Sequence, residues 1–249
     1  MVITTKLIRV VRVHRIVTSA VGAALAALKA GDFVLVYDGE GREEETDLAI
    51  ASEFVTPAAV RTLRKEAGGW ICATVPPGLR EKLSLPYLQD LFHDSGASYP
   101  ILGRLVPERQ PYDRRSAFSI TVSHRDTYTG VTDEDRARTI SRFAEVAREG
   151  LRLENGWAER AFVDEFRAPG HVALLNPAPR LLEERKGHTE LVTALVAMAG
   201  LVPSATICEM LSDDGRALRK EDAKAYAAAR NLVFLEGREI LEAWRAWSV

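Results

Sequence analysis

Residues 33–52 read FVLVYDGEGREEETDLAIAS, an acidic segment between two short apolar runs. Apolar runs of this length, bounded by turn-forming residues, are typical of buried strands, so strands are predicted at 33–37 and 48–52. The ten residues between them hold six carboxylates and two glycines. The sequence therefore predicts two neighbouring strands joined by a loop that concentrates negative charge.

Similar apolar runs recur to the end of the chain. They predict five further strands, at 70–75, 118–123, 171–175, 206–211 and 233–235. Helical patterns lie between several of them. Thr56 before Pro57 marks one helix start, Thr132 with Asp135 has the spacing of a capping box, and a third helix is predicted from Thr189. The alternation indicates an α/β (α+β) fold, and we expect a single domain with a mixed β-sheet covered by helices in three layers.

Residues 85–115 break this pattern. The stretch contains four prolines and shows no sustained hydrophobic period. It is too short and too apolar to separate two domains, so we interpret it as an irregular insertion within one domain. Insertions of this kind commonly lie near a functional site or a partner surface.

The N-terminal part allows two interpretations. Four cations between residues 6 and 15 precede the apolar run 21–28, which resembles a targeting signal cleaved near 29–31. The alternative, which we favour, is an amphipathic helix with Val21, Leu25 and Leu28 on one side and Gly31 at its end. Cleavage would leave a mature chain that starts at a buried strand. No run reaches the ~18 apolar residues that a membrane span needs, so no membrane association is predicted.

Composition narrows the class of protein. The chain has 249 residues and a formal charge of −2, which argues against a general nucleic-acid binder. Cys72 and Cys208 are its only cysteines, too few for a disulfide scaffold or a four-thiolate zinc site. Such sparse cysteine is typical of a reducing compartment and predicts a cytoplasmic protein.

The acidic loop at 38–47 is one candidate for chemistry. Like charges repel at short range, and a divalent cation such as magnesium would relieve that repulsion through hard oxygen ligands. A solvated acidic loop without a metal is the alternative. The segment at 185–190, RKGHTE, is a second candidate, because a helix N-terminus beside Arg185 and Lys186 favours a phosphate. Its alternative is a basic surface cluster with no ligand.

Three more positions have both a structural and a functional interpretation. His171 follows a Pro-Gly turn at the mouth of a strand, where a histidine usually has a structural hydrogen bond. Thr129 and Gly130 precede the helix at Thr132 and offer either an anion-facing corner or an ordinary turn. Glu209 falls within an apolar strand, where a carboxylate must be paired, bound to a metal or neutral. It is therefore a better functional candidate than any surface glutamate.

Taken in order along the chain, these segments resemble the 3,4-dihydroxy-2-butanone-4-phosphate synthase family, in its monofunctional archaeal form. The resemblance covers about residues 16–244 and leaves residues 1–15 as an N-terminal extension before a catalytic domain at 16–249. The shared motifs are Asp-x-x-x-Arg-Glu-x-Glu-x-Asp, Gly-x-Ile-Cys, Phe-Ser-Ile-Thr-Val, Thr-Gly-Val-Thr-x-x-Asp-Arg, Arg-x-Pro-Gly-His, Gly-His-Thr-Glu and Ile-Cys-Glu.

The resemblance implies a role for each matching residue. Glu43 and His188 are expected to bind the metal, and His171 and Glu209 to transfer protons. Arg185 and Thr189 correspond to phosphate-holding positions. The remaining expected substrate contacts are Arg42, Glu45, Asp47, Cys72 and Thr129.

The resemblance also implies the reaction and its requirements. Family members are lyases that convert D-ribulose 5-phosphate into L-3,4-dihydroxy-2-butanone 4-phosphate and formate for riboflavin biosynthesis. We expect Mg²⁺ or Mn²⁺ as cofactor, with two ions per site when substrate is bound, and a homodimer with sites near the subunit interface. Fusion to GTP cyclohydrolase II is not expected, because that enzyme needs three cysteines for its zinc site and this chain has two. A phosphorylated-ligand or RNA binder without activity and a sugar-phosphate isomerase are the alternatives.

Overall fold

A computed structural model describes residues 20–108 and 110–248. The predicted extension at 1–15 lies outside these residues, so its boundary with the domain stays a prediction. The described residues form one seven-stranded sheet. Its strands are β1 (Val34–Tyr37), β2 (Thr46–Ala51), β3 (Cys72–Thr74), β4 (Phe118–His124), β5 (Phe166–Leu175), β6 (Ala205–Glu209) and β7 (Val233–Glu236).

The sheet is mixed, as the sequence predicts. Its strand order is β4-β5-β3-β6-β2-β1-β7. The pairs β3–β5 and β1–β7 are parallel, whereas β4–β5, β3–β6, β2–β6 and β1–β2 are antiparallel. Strands distant in sequence therefore become neighbours, which brings the start of β2 beside the end of β6.

Ten α-helices complete the part of the chain that the structure describes. They are α1 (Ala20–Ala30), α2 (Pro57–Glu66), α3 (Pro77–Leu83), α4 (Leu88–Asp94), α5 (Pro100–Leu105), α6 (Asp133–Arg152), α7 (Trp157–Glu165), α8 (His188–Met198), α9 (Lys220–Arg230) and α10 (Gly237–Trp247). Short 3₁₀ turns lie at Ser52–Phe54, Ser95–Ala97 and Leu181–Glu183. No helix among the described residues is long and apolar enough to cross a bilayer.

Both faces of the sheet are covered, which confirms the three-layered arrangement. Leu48 and Ile50 of β2 point to one face and pack in a cluster with Phe143 of α6. Ala49, the residue between them, joins the opposite cluster with Leu195 of α8. This division follows from the alternation of side chains along a strand. The site residues described below project on the side of α8.

Several element boundaries differ from the sequence-based predictions. Strand β5 begins at Phe166, five residues before its predicted start, because the chain pairs with β4 through register shifts. Strand β6 ends at Glu209, so this carboxylate stands at a strand end and not within the strand. The segment 85–115 is not wholly irregular, since it contains α4 and α5. Insertions of short, partly exposed helices carry too little apolar surface to show a clear period.

The predicted helix starts are largely confirmed. Helix α1 spans the 21–28 run, as the favoured interpretation predicts, and its Val21 and Leu28 side chains are buried. Thr132 accepts a hydrogen bond from the backbone N–H of Asp135 at 3.1 Å and caps α6. The reciprocal half of the predicted capping box is absent here, because the Asp135 carboxylate accepts from the N–H of Gly130 at 2.9 Å. Asp135 thus fixes the turn before the helix.

Candidate active site

A cavity opens where the ends of β2, β3 and β6 meet the N-terminus of α8. The register pairs Asp47 with Glu209 and Cys72 with Ile207, so side chains from three strands point into the same space. The last residues of the 85–115 insertion and the segment directly after it close another side. The lining residues are Glu43, Glu45, Asp47, Cys72, Gln110, Tyr112, Ser116, Ala117, Phe118, Leu175, Arg185, His188, Thr189, Ile207 and Glu209.

The acidic loop is organised around Asp38. The side chain of this residue is fully buried, and its two oxygens accept the backbone N–H groups of Glu43 at 3.0 Å and Glu45 at 3.2 Å. These bonds to a carboxylate fix the path of the loop. On the outer side, Lys220 pairs with Glu40 at 2.5 Å. The loop is therefore fixed on its inner side by Asp38 and on its outer side by Lys220. Glu43 points to the start of α8.

Glu43 and His188 meet at this point. The Nδ1 atom of His188 lies 3.1 Å from Oε2 of Glu43, and its Nε2 atom lies 3.1 Å from the carbonyl oxygen of Glu45. His188 is buried as the first residue of α8. Asp38, Glu43 and His188 each offer a ligand atom within 4.8 Å of the others. A carboxylate and imidazole set of this kind suits a divalent cation such as Mg²⁺ or Mn²⁺.

Asp47 lies beside this group and has no hydrogen bond to any described residue. Both of its carboxylate oxygens are buried, and the nearest cation is His188, whose Nε2 atom is 3.8 Å from Oδ1. Burial is the main cause that raises the pKa of Asp47 to about 8, and the negative charge of Glu209 adds to it. A buried carboxylate without a hydrogen bond is costly, and such a group often marks a place where an ion binds.

The pKa of His188 shows the same accumulation of negative charge. Burial alone would lower it, but the carboxylates of Asp47, Glu43 and Asp38 outweigh burial and raise the pKa to about 10. Glu45 also has a raised pKa, because of burial and the nearby charge of Glu43. A bound cation would favour ionised carboxylates and a neutral imidazole instead. The donor set therefore fits a hard divalent ion.

Two arginines share a carboxylate partner near the N-terminus of α8. Arg185 donates to Asp113 at 2.5 Å and to Glu190 at 2.6 Å. Arg42 donates to the same oxygen of Asp113 at 3.2 Å and does not line the cavity itself. The free N–H groups at a helix N-terminus add partial positive charge. This corner has the character of an anion site.

The structure brings eight of the eleven predicted site residues to the cavity wall. They are Glu43, Glu45, Asp47, Cys72, Arg185, His188, Thr189 and Glu209. Burial raises the pKa of the Cys72 thiol well above its usual value, so Cys72 is not a reactive thiolate and contributes shape. Arg42 reaches the site only through Asp113.

His171 and Thr129 are the two residues that this arrangement leaves outside. His171 is exposed, and its backbone N–H donates to Ser123 Oγ at 3.0 Å. Together with Trp70 and Arg136, it lines a separate surface depression. Thr129 is also exposed, and its Oγ1 hydroxyl donates to Oδ2 of Asp135 at 3.4 Å. Within the described residues of one chain, neither side chain lines the cavity.

Sequence reasoning did not assign roles to Asp38, Asp113 or Glu190. Asp38 stands in the acidic loop, and its position immediately after a strand could have marked it as the residue that organises the turn. Glu190 is the last residue of the Gly-His-Thr-Glu motif, and it is a fully buried carboxylate. Asp113 had no sequence signal, because its importance depends on contacts with residues more than seventy positions away.

Comparisons with known proteins agree with this geometry. The family model described as 3,4-dihydroxy-2-butanone 4-phosphate synthase matches residues 22–243. The enzyme of that name from Methanosarcina mazei is 47% identical over 231 residues, which cover 92% of each chain. The enzyme from Methanothermobacter thermautotrophicus is 45% identical, over 89% of this chain and 94% of the relative. Both organisms are archaea.

Solved structures of the family have the same fold. A 3,4-dihydroxy-2-butanone 4-phosphate synthase in complex with two magnesium ions superposes with a TM-score of 0.66 and 26% sequence identity. The match covers 89% of this chain and 94% of that chain. The seven-stranded mixed sheet with helices on both faces is therefore shared with an enzyme that binds magnesium.

Proposed function

Because the chain belongs to the 3,4-dihydroxy-2-butanone 4-phosphate synthase family, we propose that the cavity at the N-terminus of α8 is its active site. The protein is a carbon-carbon lyase of riboflavin biosynthesis. It converts D-ribulose 5-phosphate into L-3,4-dihydroxy-2-butanone 4-phosphate and formate. The observation that carries the assignment is the contact between Glu43 and His188 next to the carboxylate of Asp47, which has no hydrogen bond among the described residues.

Glu43 and His188 hold the divalent cation in this proposal. The raised pKa of His188 and the lack of a hydrogen bond to Asp47 in the described part of the chain both point to a missing positive charge. When bound, Mg²⁺ or Mn²⁺ supplies Lewis acidity for enolisation and for the later skeletal rearrangement. The magnesium-bound relative contains two ions, and we propose two per site here when substrate is present.

The substrate is oriented by residues on two sides of the cavity. Arg185 and Thr189 at the start of α8, with Arg42 nearby, receive the phosphate group, because charge-assisted donors and helix N–H groups favour an anion. Glu45 and Asp47 face the sugar hydroxyls from the acidic loop. Cys72 limits the depth of the cavity.

Proton transfer is assigned to Glu209 and His171. A ketose becomes an enediol when a proton leaves the carbon next to the carbonyl, which requires a positioned base. Glu209 lines the cavity directly opposite Asp47 in the sheet register. His171 and Thr129 lie on an exposed face of the same chain, so they need a second subunit to reach substrate.

We therefore propose a homodimer with sites near the interface, acting in the cytoplasm. The face that carries His171 also exposes large apolar side chains, since Trp70 is 62% and Val131 50% exposed. Isolated apolar residues on a surface are ordinary, but a group of them beside a site residue is typical of an interface. A twofold contact would place the same face of each subunit at the cavity of its partner.

A formate assay with ribulose 5-phosphate and Mg²⁺ tests the function directly. We expect formate release that stops on addition of a chelator and returns on addition of Mg²⁺. Isomerisation of the sugar phosphate without formate would identify an isomerase, and binding without turnover would identify a non-catalytic protein. Formate release that a chelator leaves unchanged would remove the metal from the proposal.

A further inference from the structure

Asp113 holds together two arginines that the proposed function assigns to the phosphate group. A single oxygen of its carboxylate, Oδ2, accepts from Nε of Arg185 at 2.5 Å and from Nη2 of Arg42 at 3.2 Å. Its other oxygen, Oδ1, accepts only the N–H of the adjacent Arg114 among the bonds of the described residues. The carboxylate therefore occupies donors that an incoming phosphate would require.

Glu190, the other carboxylate that contacts Arg185, has a different setting. It is completely buried on α8, and its second oxygen accepts the backbone N–H of Ala178 at 2.8 Å. Removing it would leave the buried N–H of Ala178 and the Nη1 donor of Arg185 without their partner, which is costly. The Asp113 side chain is 13% exposed, lies outside the regular elements, and borders a second cavity through which it could withdraw. Of the two counter-ions, Asp113 is the one that can be exchanged.

A phosphate arriving at this corner would meet Asp113 as a like charge. Phosphate carries more charge than a carboxylate and offers three terminal oxygens, so it can satisfy Arg185, Arg42 and the N-terminus of α8 together. Both anions cannot lie on the same guanidinium donors. Asp113 occupies one N–H donor of each guanidinium, so a phosphate that binds through those same donors must break the contacts of Asp113 with Arg185 and Arg42.

On these contacts we propose that Asp113 is a built-in competitor for the phosphate group of the substrate. In the absence of substrate it keeps the two guanidinium groups paired and in place, and phosphate displaces it on binding. The residue thereby lowers the affinity for phosphate, including that of the product, which carries the same group. This inference rests on the proposed function, because it requires Arg185 to bind phosphate.

The test is the dissociation constant of inorganic phosphate, measured calorimetrically on the full chain with saturating Mg²⁺. We expect Asp113→Asn and Asp113→Ala to bind phosphate about tenfold more tightly than the wild type, since each removes a charge-assisted competitor. Asp90→Asn is the matched control. It removes a carboxylate that pairs with Arg115 at 3.1 Å on the border of the second cavity, without contacting Arg185, and should leave the constant unchanged.

Arg185→Ala separates failure of this inference from failure of the proposed function. If Arg185→Ala weakens phosphate binding but both Asp113 variants bind like the wild type or more weakly, Asp113 is not a competitor. An equal gain in Asp90→Asn would attribute the effect to overall charge and would also overturn the inference. If Arg185→Ala leaves phosphate binding unchanged, the assignment of the phosphate site itself is wrong.

Discussion

Burial of charge at single residues is the feature that distinguishes the acidic loop from an ordinary solvated loop. Asp38, Asp47 and His188 are each less than a tenth exposed, whereas Glu40 in the same loop has a 70% exposed side chain. Water screens a solvated carboxylate, but it cannot screen these. The repulsion that the negative charges of Glu209, Glu43 and Glu45 exert on the Asp47 carboxylate is a cost to the fold unless a cation is bound. A cation that binds this loop is therefore expected on its inner side.

This difference within one loop gives a residue-level prediction. Glu43→Gln keeps the shape of the side chain and removes its charge, so formate production should fall by about a hundredfold or more as metal affinity is lost. Glu44→Gln is the control in the same loop. Its side chain accepts the N–H of Gly41 at 2.9 Å, a bond that glutamine can keep.

Activity and magnesium binding are both measured for these two variants. Circular dichroism should show the same fold for both. Wild-type formate release by Glu43→Gln, or an equal loss in Glu44→Gln, would contradict the assignment of Glu43 as a metal ligand.

Among the elements, the contact between β4 and β5 decides where His171 stands. A Cβ atom on Gly170 would overlap the backbone of Val122 and Ser123, so the two strands approach as closely as they do only because residue 170 is glycine. The N–H of Gly170 donates to Thr121 at 3.1 Å, and that of His171 to Ser123. The Arg-x-Pro-Gly-His motif is therefore a packing requirement as well as a chemical one.

Gly170→Ala should accordingly destabilise the protein. Forcing a methyl group against backbone atoms costs roughly 1–3 kcal/mol of unfolding free energy, and the strand must shift to accept it. Gly78→Ala in α3 is the control, because its added methyl meets only the end of the Leu151 side chain at 3.2 Å. Urea denaturation of both variants measures the difference. Equal stability of Gly170→Ala and the wild type would show that β4 and β5 separate without cost.

On the scale of the whole molecule, the proposed site residues are divided between the cavity and the surface of the chain. The cavity brings together the acidic loop, three strand ends and the start of α8, yet it leaves out His171 and Thr129. Both stand on the face that exposes Trp70 and Val131. The proposed homodimer explains this division, because each subunit would complete the cavity of the other.

Complementation between inactive variants tests this arrangement. We expect Glu43→Gln and His171→Ala each to be inactive, and their mixed dimers to regain activity, since one of the two sites then contains both residues. Random mixing makes half of the dimers mixed, each with one intact site, so about a quarter of the wild-type activity should return.

The control is a mixture of Glu43→Gln with His188→Ala. These two residues contact each other within one chain, so every site of the mixed dimer lacks one of them and no activity should return. Full activity of His171→Ala, or a monomeric protein in solution, would refute the shared site.

The sequence by itself determined the seven strands, the mixed sheet between helical layers and the family, but only four of the ten helices of the described residues. Strand and helix signals are local: the apolar runs, the Thr132 cap and the glycine-bearing motifs depend on residues a few positions apart. The order of motifs also predicted which residues bind metal and phosphate, and these assignments stay predictions. Where Glu209 stands was only partly predictable, because the strand ends two residues earlier than its apolar run indicates.

Only the tertiary structure decided which of these residues meet. It placed Asp113 between Arg42 and Arg185, left Asp47 without a hydrogen bond among the described residues, and kept His171 apart from Glu209. Each of these facts depends on contacts between segments some 40 to 150 positions apart, which the crossing order of the strands sets. Burial and pairing are properties of the folded chain, and they decide whether a carboxylate is a ligand, a counter-ion or a surface charge.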